Sequence, residues 1–293
     1  MEIDGVFSGG GMKAIAFVGA LEVMEREGFV FKKIAGTSAG AIIGALLAAG
    51  YKASEINQIL TEVNFKRFLD RPNSGFLFPF IKWASFYWRM GMYKGDALEK
   101  WMAKLLKDKG IETFADIEKG SLKIIASDLT KGRIITLPDD LKYYGLNENA
   151  FSIAKAVRMS TSIPYFFEPI KIYDRLGIKS VIVDGAVLSN FPIWIFEADK
   201  VRPIVGFRLS PKLENIPPNI IHNAFEMFPA LIETMLNAHD ARYISKKFAN
   251  QIIFIPIDSV KTTEFTLSEK MKKQLFETGK ARAEEFIKKW KIT

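Results

Sequence analysis

The sequence contains no cysteine and only two histidines among its 293 residues. The lack of cysteine excludes disulfide bridges, a thiol nucleophile and thiolate metal sites, and it is consistent with a reducing compartment. The two histidines, His222 and His239, both fall in the C-terminal part of the chain. Acid–base chemistry elsewhere in the sequence would need another side chain, and a carboxylate is the first candidate.

We also expect neither a targeting segment nor a membrane-spanning segment in this sequence. The chain goes straight into a strand-like stretch at residues 3–7 with no signal peptide before it, so we expect a cytoplasmic protein. The longest run without a charged residue, 34–51, approaches the length of a membrane span, but it includes four glycines. We therefore expect no transmembrane helix and, at most, peripheral contact with a membrane surface.

The composition is that of a globular protein, with 48% hydrophobic and 25% charged residues. No linker or repeat divides the chain, which predicts a single domain over residues 1–293. The formal net charge of +8 favours anionic partners, although lysines scattered over solvated faces would give the same total. A nucleic-acid partner is not expected, because no basic stripe alternates with exposed aromatic residues outside the segment 74–93.

A glycine-rich loop follows the first predicted strand, residues 2–8. Gly9-Gly10-Gly11-Met12-Lys13 opens a helix that is predicted to run to about Glu27 and to stop at Gly28. The spacing is not that of a Walker loop, and Ala14 stands where the last glycine of a dinucleotide fingerprint would fall. The backbone amides of such a loop could hold an anion or a catalytic oxyanion, or the loop could be a flexible turn without a ligand.

A second glycine turn, Gly36-Thr37-Ser38-Ala39-Gly40, has the G-x-S-x-G pattern of a nucleophile elbow. A predicted strand ends near Ala35, and the small residues of 39–49 predict a helix that packs closely on a sheet and stops at Gly50. In a parallel βαβ unit the two glycine turns lie side by side at the carboxyl edge of the sheet. Ser38 is therefore the candidate nucleophile.

Together with a third motif, the two turns resemble those of the patatin-like phospholipases of bacterial or archaeal type. The third motif is Asp184-Gly185-Ala186, which follows a strand-like run at 181–183. Between the motifs, Arg158-Met159-Ser160-Thr161-Ser162-Ile163-Pro164 is similar to the serine-rich segment of the family. Ala14 departs from the family pattern, in which glycine is usual. Three motifs in this order are far more specific than any one of them.

The resemblance implies a fold, an activity and a set of site residues. The fold is a three-layer α/β sandwich, with helices on both faces of a mostly parallel sheet. The activity is hydrolysis of ester bonds in phospholipids or other acyl lipids, without a metal or a cofactor. Ser38 would attack the acyl carbonyl while Asp184 accepts its proton. The other residues would form the oxyanion hole (Gly9, Gly10, Gly11) or support the motifs (Lys13, Gly36, Gly40, Gly185, Ala186).

Two alternatives stay open at the level of the sequence. An order of Ser38, Asp184 and a later histidine matches the α/β-hydrolase triad, with His222 or His239 as its third member. Against the triad, only one predicted strand precedes the one that leads to Ser38, whereas hydrolases of that fold usually place several there. The other alternative is a non-enzymatic module that binds anionic lipid through the glycine loop.

The most aromatic segment of the chain is residues 74–93. It could be a lid, a lipid-facing surface with its rings at headgroup depth, or an insertion buried against the core. The stretch 220–248 has apolar residues at helical spacing and could line an acyl-chain channel. The remaining patterns predict an antiparallel pair at 122–127 and 133–137, strands at 204–209 and 252–255, and helices at 96–109 and 268–291.

Overall fold

A sheet of eight strands, most of them parallel, forms the centre of the protein. The computed structural model describes residues 1–70, 86–197, 201–209, 221–223, 227, 230, 234, 249–257 and 266–290. The strands of the sheet are β1 (Glu2–Phe7), β2 (Val30–Thr37), β4 (Leu122–Asp128), β5 (Arg133–Leu137), β7 (Ile170–Tyr173), β8 (Lys179–Asp184), β9 (Ile204–Arg208) and β10 (Ile252–Phe254). A separate parallel pair consists of β3 (Gly91–Tyr93) and β6 (Tyr165–Phe167). The longer described helices are α1 (Ile15–Arg26), α2 (Ala39–Ala48), α3 (Ala53–Glu62), α4 (Asp96–Asp108), α5 (Ile153–Ser160) and α6 (Glu269–Lys289).

The strand order is β10-β9-β1-β2-β4-β8-β7, and β5 also pairs with β4. All pairs from β10 to β4 are parallel, whereas β4 pairs antiparallel with β5 and β8, and β8 with β7. Because β5 occupies one side of β4 along residues 124–128, β2 and β8 share the other side. There Thr37 lies opposite Ile125, and Asp184 lies opposite Ala126. The carboxyl ends of β2 and β8 therefore meet on β4.

Side chains of the central strands alternate between two hydrophobic clusters, since successive residues of a strand point to opposite faces of a sheet. Phe7 and Phe207 face the larger cluster, where their rings stack with centroids 4.6 Å apart and the apolar sides of the helices join them. Val6 and Ala35 face the smaller cluster on the opposite side. The segment 191–196 covers that second face with Phe191, Ile193 and Phe196.

The predicted α/β fold with a mostly parallel sheet is confirmed. The antiparallel pair β4–β5 and the helix α4 are also confirmed, with boundaries within one residue of those predicted. Residues 74–85 of the aromatic segment lie outside the described residues, as does most of the stretch 220–248, so both interpretations stay predictions. None of the helices in the described part of the chain has the length and apolar character of a membrane span.

The helices α1 and α6 pack backbone to backbone because each contributes a glycine to the contact. A Cβ at Gly19 would lie 1.9 Å from the carbonyl oxygen of Phe276, and a Cβ at Gly279 would lie 1.7 Å from that of Ala16. Both distances are far below van der Waals contact, so the approach requires glycine on both helices. This contact joins the last described helix to the first helix of the chain.

We expect Gly279→Ala to lower the stability of the protein, although alanine is the better helix former. The added methyl group must push α6 away from α1, and overpacking of this kind costs about 1–3 kcal/mol. Chemical denaturation beside Gln274→Ala, a substitution at an exposed position of the same helix, measures the loss. An unfolding midpoint of Gly279→Ala at or above the wild-type value would contradict the close contact.

Candidate active site

Ser38 lies at the turn between β2 and α2, in a backbone conformation that is rare for any residue with a side chain. Its φ is 52° and its ψ is −120°, so the turn is strained. A Cβ at Gly36 would lie 2.3 Å from the carbonyl oxygen of Gly40, and a Cβ at Gly40 would lie 2.4 Å from that of Phe7. The two glycines therefore permit the tight turn that holds Ser38 at the carboxyl edge of the sheet.

Asp184 is the last residue of β8, and its carboxylate contacts Ser38 directly. The Oγ hydroxyl of Ser38 donates to Oδ2 of Asp184 at 2.7 Å, and the amide of Ala186 donates to Oδ1 at 2.8 Å. Gly185 is needed next to the carboxylate, since a Cβ there would lie 2.2 Å from the carbonyl oxygen of Ile125. The structure thus brings together the serine and the aspartate of two motifs that lie far apart in the sequence.

Burial changes the acid–base chemistry of this pair. Ser38 is 6% exposed and Asp184 is 3% exposed. Loss of hydration disfavours the carboxylate and raises the pKa of Asp184 to about 7, although the hydrogen bonds from Ser38 and Ala186 act in the opposite direction. A carboxylate with a pKa near 7 is a stronger base than an ordinary aspartate. At neutral pH, Asp184 is ionised in about half of the protein molecules.

The glycine-rich loop lies beside this turn because β1 and β2 are parallel neighbours. A Cβ at Gly9 would lie 3.3 Å from the Cβ of Ser38. The amide of Gly9 already donates to the carbonyl oxygen of Asn190 at 3.0 Å, which removes it from the expected set of oxyanion donors. The amides of Gly10 and Gly11 donate no hydrogen bond within the described part of the chain. These two amides are the remaining candidate donors to an anion.

Later segments of the chain hold the glycine loop in place. The ammonium group of Lys13 donates to the carbonyl oxygen of Ile257 at 3.0 Å, just beyond β10. The Oγ of Ser8 accepts a hydrogen bond from the amide of Leu209 at 3.1 Å, just beyond β9. These two contacts attach the loop to the chain just beyond the two strands on that side of the sheet.

An apolar pocket opens next to Ser38. It encloses about 690 Å³ when its mouth is included. Apart from Ser38 and Thr161, its lining side chains are apolar. They come from the glycine loop, the first residue of α1, the helices α2, α3 and α4, and the segments 65–68 and 161–167. One part of the wall is aromatic, formed by Phe65, Phe68, Trp101 and Phe167. The stretch 220–248, predicted as a channel lining, contributes no described residue to this pocket.

Histidine takes no part in the contacts of Ser38 and Asp184 within the described residues. His222 is exposed, and His239 lies outside the described part of the chain. Both carboxylate oxygens of Asp184 are already bonded, one to Ser38 and one to Ala186. Within the described residues, no three His, Cys, Asp or Glu side chains are grouped so that they could hold a metal ion.

A buried arginine, Arg158, forms hydrogen bonds with the chain segments next to Asp184. Arg158 is 1% exposed, and its guanidinium donates to the Oγ of Ser162 and to the carbonyl oxygens of Lys94 and Glu168. The carbonyl oxygen of Ser162 in turn accepts the amide of Asp184 at 2.9 Å. Burial lowers the pKa of Arg158, but a guanidinium stays protonated in proteins. Arg158 thus links the wall of the site to the strand end that carries Asp184.

Sequence reasoning missed the residue that holds the backbone of the candidate nucleophile. The amide of Ser38 donates to the Oγ of Ser160 at 2.8 Å, and Ser160 donates to the carbonyl oxygen of Ile125 at 2.5 Å. Thr37 is held in a similar way, by a hydrogen bond from its Oγ1 to the carbonyl oxygen of Ser189 at 3.0 Å. The serine-rich segment contains Ser160, but no pattern in the sequence assigns that serine a partner.

Known proteins are similar to this chain in sequence or in fold. Patatin-like phospholipase is the family whose model matches residues 5–197. The chain is 54% identical over 290 residues to the uncharacterized protein YqhO of Bacillus subtilis (strain 168), with 99% of each chain covered. It is 28% identical over 205 residues to the cUMP-AMP-activated phospholipase of Escherichia coli, which covers 65% of this chain and 56% of that protein.

Among solved structures, VipD from Legionella pneumophila has a similar fold, with a TM-score of 0.58 at 15% sequence identity. The match covers 99% of this chain and 67% of VipD. At that identity the likeness concerns the fold alone. The family match to two thirds of the chain and the geometry around Ser38 lead to one assignment. This chain belongs to the patatin-like phospholipase family, a family of lipid acyl hydrolases.

Proposed function

We propose that this protein hydrolyses the carboxylic ester bonds of phospholipids or related acyl lipids, with Ser38 as nucleophile and Asp184 as general base. The observation that carries the proposal is the 2.7 Å hydrogen bond from the Oγ of Ser38 to the carboxylate of Asp184. The pair is buried, and Ser38 lines an apolar pocket. A strained serine beside a base and an apolar pocket is the arrangement that acyl transfer requires.

In the first half of the reaction, the Oγ of Ser38 attacks the acyl carbonyl carbon while its proton passes to Oδ2 of Asp184. The carbonyl oxygen becomes an oxyanion, which the amides of Gly10 and Gly11 stabilise from the neighbouring loop. The N-terminus of α2 adds its partial positive charge. When the carbon–oxygen bond of the ester breaks, Asp184 returns the proton to the departing alcohol, and the acyl group stays on Ser38.

In the second half, a water molecule takes the place of the alcohol. Asp184 accepts a proton from this water as its oxygen attacks the acyl carbon, and the proton then returns to Ser38 as the fatty acid leaves. The same two amides hold the second oxyanion. No step needs a histidine, a metal ion or a cofactor, so the proposal is a two-residue mechanism.

The pocket supports an acyl chain as the part of the substrate that binds next to Ser38. Its wall is apolar, and burial of each methylene group contributes about 0.8 kcal/mol. The aromatic part of the wall, where the rings of Phe68 and Trp101 lie 5.1 Å apart between centroids, suits an extended hydrocarbon. A polar headgroup finds few partners there and would stay at the mouth.

We expect Ser38→Ala and Asp184→Asn each to lower kcat for defined phospholipids and para-nitrophenyl esters by about three powers of ten or more. The first substitution removes the attacking oxygen, and the second removes the base while keeping its shape. Ser54→Ala, at an exposed position of α3, is the matched control and should keep full activity. His222→Ala should also keep full activity, because the proposed pair needs no histidine.

A fluorophosphonate probe should label the wild-type protein at Ser38 and leave Ser38→Ala unlabelled, and hydrolysis should continue in EDTA. Activity of folded Ser38→Ala near that of the wild type would contradict the proposal. The absence of both turnover and labelling in the wild type would favour a non-enzymatic lipid-binding module. Loss of chemistry after substitution of His222 or His239 would favour the triad.

The pH dependence of kcat/KM follows from the pKa of about 7 at Asp184. The base must be ionised to accept the proton of Ser38, so kcat/KM should be level above about pH 8. Below about pH 7 it should fall roughly tenfold per pH unit. An ordinary aspartate would give the same fall only near pH 4. Initial rates with a soluble ester across pH 4–9 measure the profile, and a rate that stays level down to pH 5 would contradict Asp184 as a base with a raised pKa.

A further inference from the structure

Large exposed side chains lie on and beside the two-stranded ladder β3–β6. Tyr87 and Trp88 are each 75% exposed, Tyr165 is 52% exposed and Met92 is 50% exposed. The rings of Tyr87 and Trp88 meet edge to face at 5.4 Å, and Phe86 packs against Tyr165 at 6.4 Å between centroids. We call the three exposed aromatic residues, Tyr87, Trp88 and Tyr165, the interfacial patch. So much aromatic surface in contact with water points to a binding surface.

Polar contacts beneath the interfacial patch attach it to the rest of the fold. Arg89 pairs with the carboxylate of Glu168 at 3.2 Å, and the amide of Glu168 donates to the carbonyl oxygen of Tyr93 at 2.8 Å. The buried guanidinium of Arg158 donates to the carbonyl oxygen of Glu168 at 2.7 Å. The exposed rings are therefore attached to the network that also reaches the strand end of Asp184.

Backbone strain is found at the interfacial patch and at the nucleophile turn. In the described part of the chain, the residues other than glycine with a positive φ are Ser38 at 52°, Met90 at 60° and Tyr165 at 65°. Met90 directly precedes β3, and Tyr165 opens β6. Such conformations are unfavourable and persist where the surrounding structure maintains them, often at functional sites.

The strand β6 connects the interfacial patch to the pocket. Tyr165 lies on the patch, while Phe167, two residues later, and Ile163, two residues earlier, line the pocket together with Ser38. Tyr165 and Phe167 both belong to β6, and residues two apart on a strand are about 6.6 Å apart, so the patch lies next to the pocket wall. A lipid that leaves a membrane at the patch has a short path to Ser38.

We propose that the interfacial patch docks on the surface of a phospholipid bilayer and delivers an acyl chain to the pocket. Tyrosine and tryptophan are the side chains that settle at headgroup depth, with an apolar body and a polar tip. The net charge of +8 draws the protein toward anionic lipid. The proposal rests on the proposed function, because the bilayer is where the substrate of a phospholipid hydrolase resides.

Vesicle flotation tests the docking without turnover, in a Ser38→Ala background. The vesicles are phosphatidylcholine alone or an equimolar mixture with phosphatidylglycerol. The patch variant is Tyr87→Ser with Trp88→Ser, and Trp88→Ser alone is a milder second variant. The control is Leu176→Ser with Val201→Ser, whose side chains are 84% and 70% exposed outside the patch. We expect the patch variant to bind about tenfold or more weakly to the mixed vesicles, and the control to bind like its parent.

Hydrolysis assays with Ser38 restored separate docking from chemistry. The patch variant should lose activity on vesicles about tenfold or more while keeping the parental rate on a soluble short-chain ester, which also shows that it is folded. Equal vesicle binding by the patch and control variants would overturn the proposal. Gel filtration in which the patch variant turns a dimer into a monomer would also overturn it, since the patch would then face a second copy of the chain. Vesicle binding that depends on the patch in a protein without turnover would refute the proposed function alone.

Discussion

The meeting of two strand ends on β4 is the constraint on which the site depends. β2 runs parallel to β4 and ends at Thr37, while β8 runs antiparallel and ends at Asp184, opposite the next residue of β4. Two chain segments that approach from opposite directions thus place Ser38 and Asp184 in contact at 2.7 Å. Both side chains are also buried at this meeting point, with Ser38 6% exposed and Asp184 3% exposed.

Burial then determines the chemistry. A solvated aspartate is too weak a base to activate a serine, whereas the desolvated carboxylate of Asp184 has its pKa raised to about 7. Desolvation also strengthens any interaction between an oxyanion and the amides of Gly10 and Gly11. The buried Arg158 stabilises this arrangement. Its guanidinium donates a hydrogen bond to the Oγ of Ser162, and the carbonyl oxygen of Ser162 accepts the amide of Asp184. The proposed active site and the proposed docking surface are both connected to the hydrogen bonds of Arg158, through Ser162 and Glu168 respectively.

The sequence predicted the parts of the site that depend on local backbone geometry. The elbow around Ser38 and the glycine loop are visible because glycines must occupy tight turns, and Asp184 because its motif follows a strand. It could not predict that β8 pairs antiparallel with β4. Nor could it predict that the amide of Gly9 donates a hydrogen bond to the carbonyl oxygen of Asn190, or that the amide of Ser38 donates one to the Oγ of Ser160. These contacts depend on tertiary packing between segments that lie far apart in the sequence. The wall of the pocket could not be predicted either. The helices α3 and α4 have ordinary amphipathic patterns, which do not show which of their apolar residues line a pocket.

The unfolding free energy as a function of pH, for the wild type and Asp184→Asn, tests the central claim most directly. The folded carboxyl has a pKa of about 7 and the unfolded one about 3.9, so the folded state holds its proton more tightly. Wild-type stability attributable to Asp184 is present below about pH 4 and is lost as the pH rises to about 7. The advantage of Asp184→Asn should therefore grow by a few kcal/mol between these values and stay level above them. A difference that does not change from pH 4 to pH 8 would contradict the account, because Asp184 would then titrate like an ordinary aspartate.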